Sequence, residues 1–151
     1  VDGCQDTLNK LNSIKHKYRN LSIYMMVENK GTYVTTNTLI NLVKNESKNV
    51  AEALQGNIFM VLNGKLITPP LSEGCLNGVM RKQILNLASK IEGLEVAEVE
   101  ISPFDLQKAD ELFISNVIKG IQPISKYRKK EFGNNLATKL VTLLNAQIRL
   151  A

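Results

Sequence analysis

The fold is decided around residues 57–68, which read NIFMVLNGKLIT. Residues 58–62 are uniformly apolar and rich in strand-favouring side chains, and residues 65–68 form a second β-type run. Asn63-Gly64 lies between the two runs and favours a two-residue turn, because both positions tolerate a positive φ. The stretch therefore predicts a β-hairpin, closed at its far end by Pro69-Pro70.

Helix and strand patterns continue from this hairpin toward both ends of the chain. On the N-terminal side, apolar residues at 18, 21, 24 and 25 predict a helix from Lys15 to about Glu28, followed by β-type runs at 38–43 and 49–52. On the C-terminal side, apolar residues at 80, 84, 87 and 91 predict a helix from Gly78 to Ile91. Beyond it we expect a strand near 96–101, a short helix at 102–107, strands at 111–115 and 121–127, and a terminal helix at 134–150. This order predicts a single domain, residues 1–151, of the α/β class.

Composition narrows the classes of function. The 151 residues are 44% hydrophobic and 22% charged, which is typical of a globular domain with a buried core. The net charge of +5 is scattered except at 126–130, which we interpret as a solvated hairpin or loop, so nucleic-acid binding is not favoured. The apolar runs are far shorter than the roughly 20 residues of a membrane span, so no membrane association is expected.

Cysteine and histidine are too few for several kinds of site. Cys4, Cys75 and His16 are the only such residues, so the sequence predicts neither a disulfide framework nor a thiolate zinc site. We expect no metal, and a reducing cytoplasm as the compartment.

Residues 73–81, which read EGCLNGVMR, indicate a site for phosphate. A glycine turn opens here into an amphipathic helix, and the first N–H groups of a helix have no intrahelical partner. Gly78 would let a ligand approach the backbone, and Asn77 is a candidate helix cap. The alternative is a plain turn before a helix. We expect Arg81 either to pair with an acid or to be a solvated helix charge.

Two residues upstream complete a set that suits pyridoxal phosphate, which needs an amine for its aldehyde, an acid for its ring nitrogen and donors for its phosphate. Lys15 lies near the cations Lys17 and Arg19, which disfavour its ammonium form. Glu52 precedes an apolar strand, where a buried carboxylate needs a cationic partner such as a pyridinium N–H. The alternatives are a solvent-facing lysine and a surface glutamate, or one paired with Lys48.

Asparagines near the ends of two predicted strands could border the same pocket. Asn57 is expected to brace the neighbouring loop through side-chain bonds to backbone. Asn116, in Ser115-Asn116-Val117 at the end of a buried strand, could donate to a cofactor or substrate. The alternative for each is an ordinary turn asparagine.

Taken together, these segments resemble the C-terminal portion of class-IV aminotransferases. This fold-type-IV pyridoxal-phosphate family includes branched-chain and D-amino-acid aminotransferases and aminodeoxychorismate lyase. The resemblance runs from about Ser13 to Phe132. The motifs that carry it are, in order, Ile14-Lys15-His16 with Arg19, Glu52 to Phe59, Thr68-Pro69-Pro70-Leu71, Leu76 to Arg81, and Ala109 to Asn116.

The resemblance implies a fold, a reaction and a set of site residues. The fold would be a mixed sheet or pseudo-barrel with flanking helices, the large C-terminal domain of such an enzyme. Lys15 would be the catalytic Schiff-base lysine and proton shuttle, and Glu52 would face the pyridine nitrogen. Leu76 would lie against the ring. The full set of implied cofactor-binding residues is Glu52, Asn57, Leu76, Gly78, Val79, Met80, Asn116 and Val117. The activity would be amino transfer between an amino-acid-like substrate and a 2-keto acid, in a homodimer.

Departures from the family pattern leave alternatives open. Branched-chain enzymes usually have threonines where this chain has Met80 and Val117, so two phosphate-binding hydroxyls are missing. The segments 77–81 and 115–116 look more like the pyruvate-releasing aminodeoxychorismate lyase. The family's smaller N-terminal domain, which supplies an arginine to the phosphate, is expected to be absent from this chain. A catalytically incomplete fragment that keeps the fold is therefore a further hypothesis.

Overall fold

The computed structural model of the chain describes residues 22–23 and 42–150. The strands in these ranges are β1 (Ser22–Ile23), β2 (Leu42–Lys44), β3 (Val50–Ala53), β4 (Asn57–Leu62), β5 (Lys65–Thr68), β6 (Glu95–Glu98), β7 (Glu111–Asn116), β8 (Gly120–Pro123), β9 (Lys126–Tyr127) and β10 (Lys130–Glu131). Two α-helices, the central helix (Val79–Ala88) and the terminal helix (Asn135–Leu150), accompany 3₁₀ turns at Leu71–Glu73 and Asp105–Gln107.

The main sheet has five strands in the order β6-β5-β4-β7-β8. Strands β5 and β6 are parallel, and the other neighbours are antiparallel. A smaller antiparallel sheet has the order β1-β2-β3, and β9 pairs with β10. A mixed sheet with flanking helices confirms the predicted α/β class.

The hairpin at the centre of the sheet forms as predicted. Leu62 pairs with Lys65, and the two residues between them have positive φ, 52° at Asn63 and 75° at Gly64. This conformation matches the strand twist, which explains why Asn-Gly is favoured here. Asn63 N also donates to Asp110 Oδ2 at 2.8 Å, which ties the turn to the residue before β7.

Strand β4 is apolar from Ile58 to Leu62, and side chains on both of its faces are buried. Ile58 and Met60 lie in one apolar cluster, together with residues of β3 and β7. Phe59 and Val61 lie in the other, which contains residues of both helices. Phe59 stacks on Phe113 of β7 with 5.1 Å between ring centroids. Side chains alternate along a strand, so a strand between two cores loses the usual apolar–polar alternation.

Several predicted elements differ from those observed. The helix predicted from Lys15 to Glu28 is wrong at Ser22–Ile23, which pair with Lys44 and Val43 as a strand, and its other residues lie outside the described ranges. Here strand pairing outweighs a helical spacing of only four apolar residues. The predicted strand at 121–127 is divided between β8 and β9, and the predicted helix at 102–107 is a single 3₁₀ turn.

The terminal helix begins on a buried acid of the sheet. Glu111 in β7 accepts hydrogen bonds from Leu136 N at 2.9 and 3.0 Å and from Ala137 N at 3.2 Å. These N–H groups belong to the first turn, where intrahelical acceptors are lacking.

No helix in residues 42–150 is long and apolar enough to cross a membrane.

Candidate functional site

Glu52 is a buried carboxylate at the edge of the small sheet. It lies in β3 and is 5% exposed. Leu76 N donates to its Oε2 at 3.0 Å, and Asn57 Nδ2 lies 3.5 Å from the same oxygen. Burial raises the pKa of Glu52, and the hydrogen bond from Leu76 opposes that rise. The surface interpretation of this glutamate is therefore wrong, and no ion pair in residues 42–150 joins it to Lys48 or to any other cation.

Asn57 connects this carboxylate to the segment that precedes the central helix. Asn57 is the first residue of β4, and its Nδ2 donates to Leu76 O at 2.7 Å. The predicted brace from side chain to backbone is thus present. Leu76 is held through both backbone groups, its N–H by Glu52 and its C=O by Asn57.

The central helix begins without a side-chain cap. Its first residue is Val79, and Gly78 occupies the cap position in an extended conformation with no side-chain hydrogen bond. The interpretation of Asn77 as the cap is therefore wrong. The first N–H groups of this helix, those of Val79 and Met80, have no intrahelical acceptor, and no side chain of residues 42–150 caps them, so they can bind an anion. Val79 is well exposed and Met80 is half-buried.

Gly78 packs so closely on the Asn57 side chain that only a glycine fits, and the sequence alone does not show this contact. A Cβ at this position would lie 2.5 Å from Asn57 Oδ1, closer than real Cβ contacts occur. Any other residue would therefore displace the Asn57 amide or the start of the helix. The glycine allows close packing of the helix start on β4, in addition to the access for a ligand that we predicted from the sequence.

Arg81 connects the first turn of the central helix to Pro69 and to Glu98 at the end of β6. Its side chain is buried, donates to Pro69 O at 3.0 Å through Nη2 and forms an ion pair with Glu98. The expected pairing with an acid is confirmed, and the solvated-charge alternative is wrong. The Sγ atom of Cys75 also lies near the same carbonyl, 3.6 Å from Pro69 O.

Residues 115–117 lie on the neighbouring strand end. Ser115 pairs directly with Asn57 across the strands, and its buried Oγ has no hydrogen-bond partner among the residues described. Asn116 Nδ2 donates to Gln55 O at 2.9 Å, while its Oδ1 accepts from the N–H groups of residues 118 and 119. Asn116 thus has the turn geometry of the alternative interpretation, and Val117 is exposed.

Most of the predicted site residues therefore converge, and one cannot be placed. Glu52, Asn57 and Leu76 are joined by hydrogen bonds, and Gly78, Val79 and Met80 follow directly as the helix start. Asn116 reaches the turn before β4. Lys15 lies outside the described ranges.

Sequence reasoning named Ser115 only as part of the segment 115–117, not as a site residue, and it did not single out Glu111. Ser115 could have been found from its position two residues after Phe113, because alternate residues of a strand share a face. Nothing in the sequence pattern separates the structural acid Glu111 from the candidate site acid Glu52.

The arrangement can hold a ligand that carries a cationic N–H at one end and an anion at the other. A buried carboxylate with no cationic partner among the residues described favours the first group, and uncapped helix N–H groups favour the second. In residues 42–150, no three His, Cys, Asp or Glu side chains form a group that could hold a metal ion.

Comparison with known proteins yields matches over most of the chain. The sequence model described as Amino-transferase class IV matches residues 4–127. The branched-chain-amino-acid aminotransferase of Escherichia coli (strain K12) is 37% identical over 75 residues, which are 50% of this chain and 24% of that protein.

Two solved structures show the same fold. An aminotransferase from Brucella abortus bound to the cofactor PLP has a TM-score of 0.67 at 29% identity, over 75% of this chain and 40% of that one. The 4-amino-4-deoxychorismate lyase from Pseudomonas aeruginosa has a TM-score of 0.66 at 29% identity, over 76% and 42%. The chain spans between about a quarter and a third of the length of curated relatives that it matches.

Proposed function

We propose, from the premise that the chain belongs to the class-IV aminotransferase family, that it forms the pyridoxal-phosphate-binding part of an aminotransferase. The reaction would move an amino group between an amino-acid-like substrate and a 2-keto acid. The observation that carries the proposal is the Glu52 carboxylate, which is buried, has no cationic partner within residues 42–150 and is held beside the uncapped start of the central helix.

The residues present fit this cofactor. Glu52 would accept a hydrogen bond from the ring N–H, a charge-assisted contact that would lower the raised pKa of this carboxyl. The N–H groups of Val79 and Met80 would hold the phosphate, and the partly exposed side chain of Leu76 would lie against the ring. Asn116 and Val117 would border the pocket. When bound, pyridoxal phosphate supplies an aldehyde that takes up the amino group and a ring that accepts electrons.

Lys15 would supply the amine that holds the cofactor, and its amine would then move the proton at the substrate's Cα. Because residues 80 and 117 carry no hydroxyl, backbone N–H groups would carry more of the phosphate contact here than in branched-chain enzymes. We propose a homodimer in the cytoplasm, with no nucleic-acid or membrane partner.

A lyase is the second candidate. The similarity to the Pseudomonas aeruginosa lyase and the likeness of segments 77–81 and 115–116 to that branch support it. The two reactions differ in product: pyruvate released without an amino acceptor indicates the lyase, and strict dependence on a keto acid indicates transamination.

The test is retention of the cofactor. We expect the purified chain to take up pyridoxal phosphate and to acquire visible absorption that survives gel filtration. Lys15→Ala should abolish this absorption, whereas the neighbouring Lys17→Ala should retain it. A chain that stays colourless and releases the cofactor on gel filtration would contradict the proposal and would favour a catalytically incomplete fragment.

A further inference from the structure

We propose that Asn57 is a positioning residue that locks the Glu52 carboxylate and the start of the central helix into one unit, so that the two ends of the ligand are recognised together. The inference deepens the proposed function and rests on it. The sequence predicted that Asn57 braces the loop and binds the cofactor; the inference extends the brace to the Glu52 carboxylate and the helix start and replaces the direct contact with the cofactor.

The first step concerns the donor capacity of Asn57. Its side-chain amide has two N–H bonds, and Nδ2 faces two acceptors, Leu76 O at 2.7 Å and Glu52 Oε2 at 3.5 Å. Both hydrogens are therefore directed at protein atoms. Because Asn57 is only 5% exposed, little of its surface remains for a ligand.

The second step is that these contacts close a ring. Leu76 N donates to the same Glu52 oxygen that Asn57 faces, at 3.0 Å. Strand β3, strand β4 and the loop before the helix are thus joined at one point. If the loop moved away from β4, Leu76 would lose its bonds to both side chains.

The third step is steric. The Asn57 amide fills the space that a Cβ at Gly78 would occupy, with Oδ1 at 2.5 Å from that position. The cap position of the central helix is therefore seated directly on Asn57. The orientation of the Asn57 side chain therefore sets where the N–H groups of Val79 and Met80 lie relative to Glu52.

The experiment is a double-mutant cycle of Asn57→Ala and Gly78→Ala in the full chain, with deoxypyridoxine phosphate as the probe. This probe has the ring nitrogen and the phosphate but no aldehyde, so its binding does not require Lys15. Its dissociation constant is measured by fluorescence titration from pH 5 to pH 9. Asn86→Ala, at an exposed position of the same helix, is the matched control.

We expect each single variant to bind about tenfold more weakly, because Asn57→Ala removes the amide that faces Glu52 and Gly78→Ala displaces that amide through its added Cβ. The double variant should bind within about twofold of Asn57→Ala, because the added Cβ no longer meets Oδ1. The acid limb of the pH profile should move to higher pH in Asn57→Ala, since the carboxylate loses a donor.

The experiment distinguishes failure of the inference about Asn57 from failure of the proposed function. If the unaltered chain binds the probe and the two single effects multiply in the double variant, or if Asn57→Ala leaves affinity and pH profile unchanged, the inference is overturned while the proposed function stands. If the unaltered chain does not bind the probe, both are overturned. If Asn57→Ala does not fold, Asn57→Ser takes its place, because it also removes Oδ1.

Discussion

In residues 42–150, both α-helices start next to a buried glutamate, and the two glutamates are bonded differently. Glu111 and Glu52 are similarly buried, at 7% and 5% exposure. Glu111 accepts from two N–H groups of the terminal helix and so caps it. Glu52 accepts from a loop N–H, and the start of the central helix has no side-chain cap. The difference teaches that a buried acid bonded to helix N–H groups caps that helix, whereas one bonded to a loop leaves the neighbouring helix start open, as the ligand site that we propose requires.

The largest effect should come from removing the structural acid. Glu111→Ala should lower the free energy of unfolding by about 2–3 kcal/mol, because the first N–H groups of the terminal helix lose a buried acceptor. Urea unfolding followed by circular dichroism measures this. Glu131→Ala, at an exposed glutamate, should change it by less than about 0.5 kcal/mol. Equal effects of the two variants would refute the cap.

Glu52→Gln should mainly weaken ligand binding, whereas Glu111→Ala should mainly lower the free energy of unfolding. We expect deoxypyridoxine phosphate to bind about 10- to 100-fold more weakly, since the ring N–H loses a charged acceptor. Unfolding free energy should change by less than about 1 kcal/mol, because the amide keeps an oxygen for Leu76 N. A variant with full affinity for the probe would remove Glu52 from the site.

Arg81 tests how the open helix start is held in place without a cap. Arg81→Met should lower the free energy of unfolding by about 1–2 kcal/mol through loss of the bonds to Pro69 O and Glu98, while the apolar stem is kept. Glu98→Gln should cost less, since Glu98 is nearly half exposed. Lys82→Met, at an exposed position one residue on, controls for the lost charge. An Arg81 effect no larger than that of Lys82 would show that the anchor is dispensable.

The smallest effect is a pH dependence. Because burial raises the pKa of Glu52, the folded protein binds this proton more tightly than the unfolded chain does. Stability from this group is therefore present below the unfolded pKa and is lost as pH rises through the folded pKa. Glu52→Gln should remove that loss, so its unfolding free energy relative to the unaltered chain should rise between pH 4 and pH 7. A difference that is constant with pH would contradict the raised pKa.

Local patterns predicted a large part of the fold. The strands at 57–62 and 65–68 and the turn between them match the prediction, because strand propensity and turn chemistry agree there. Both helices were also predicted, although the central one ends at Ala88. The helix predicted across Ser22–Ile23 failed because a local pattern does not show the partner strand at Val43–Lys44, whose paired residues lie 20 and 22 positions away.

The candidate site was predictable as a set of residue types but not as a set of contacts. Glu52, Asn57 and the segment 76–80 could be named from their chemistry. The burial of Arg81, the contact of Gly78 with Asn57 and the position of Ser115 opposite Asn57 could not, since each depends on how separate elements pack.

By itself, the sequence determined where the chain forms the central hairpin and the two helices, and which side chains are acids, amides and glycines. Only the tertiary structure decided which buried acid is structural. Glu52 is bonded to an N–H 24 residues downstream and Glu111 to one 25 residues downstream, so sequence separation does not distinguish them. The physical reason is that a carboxylate's role depends on which N–H groups packing brings to it, loop groups for Glu52 and helix groups for Glu111.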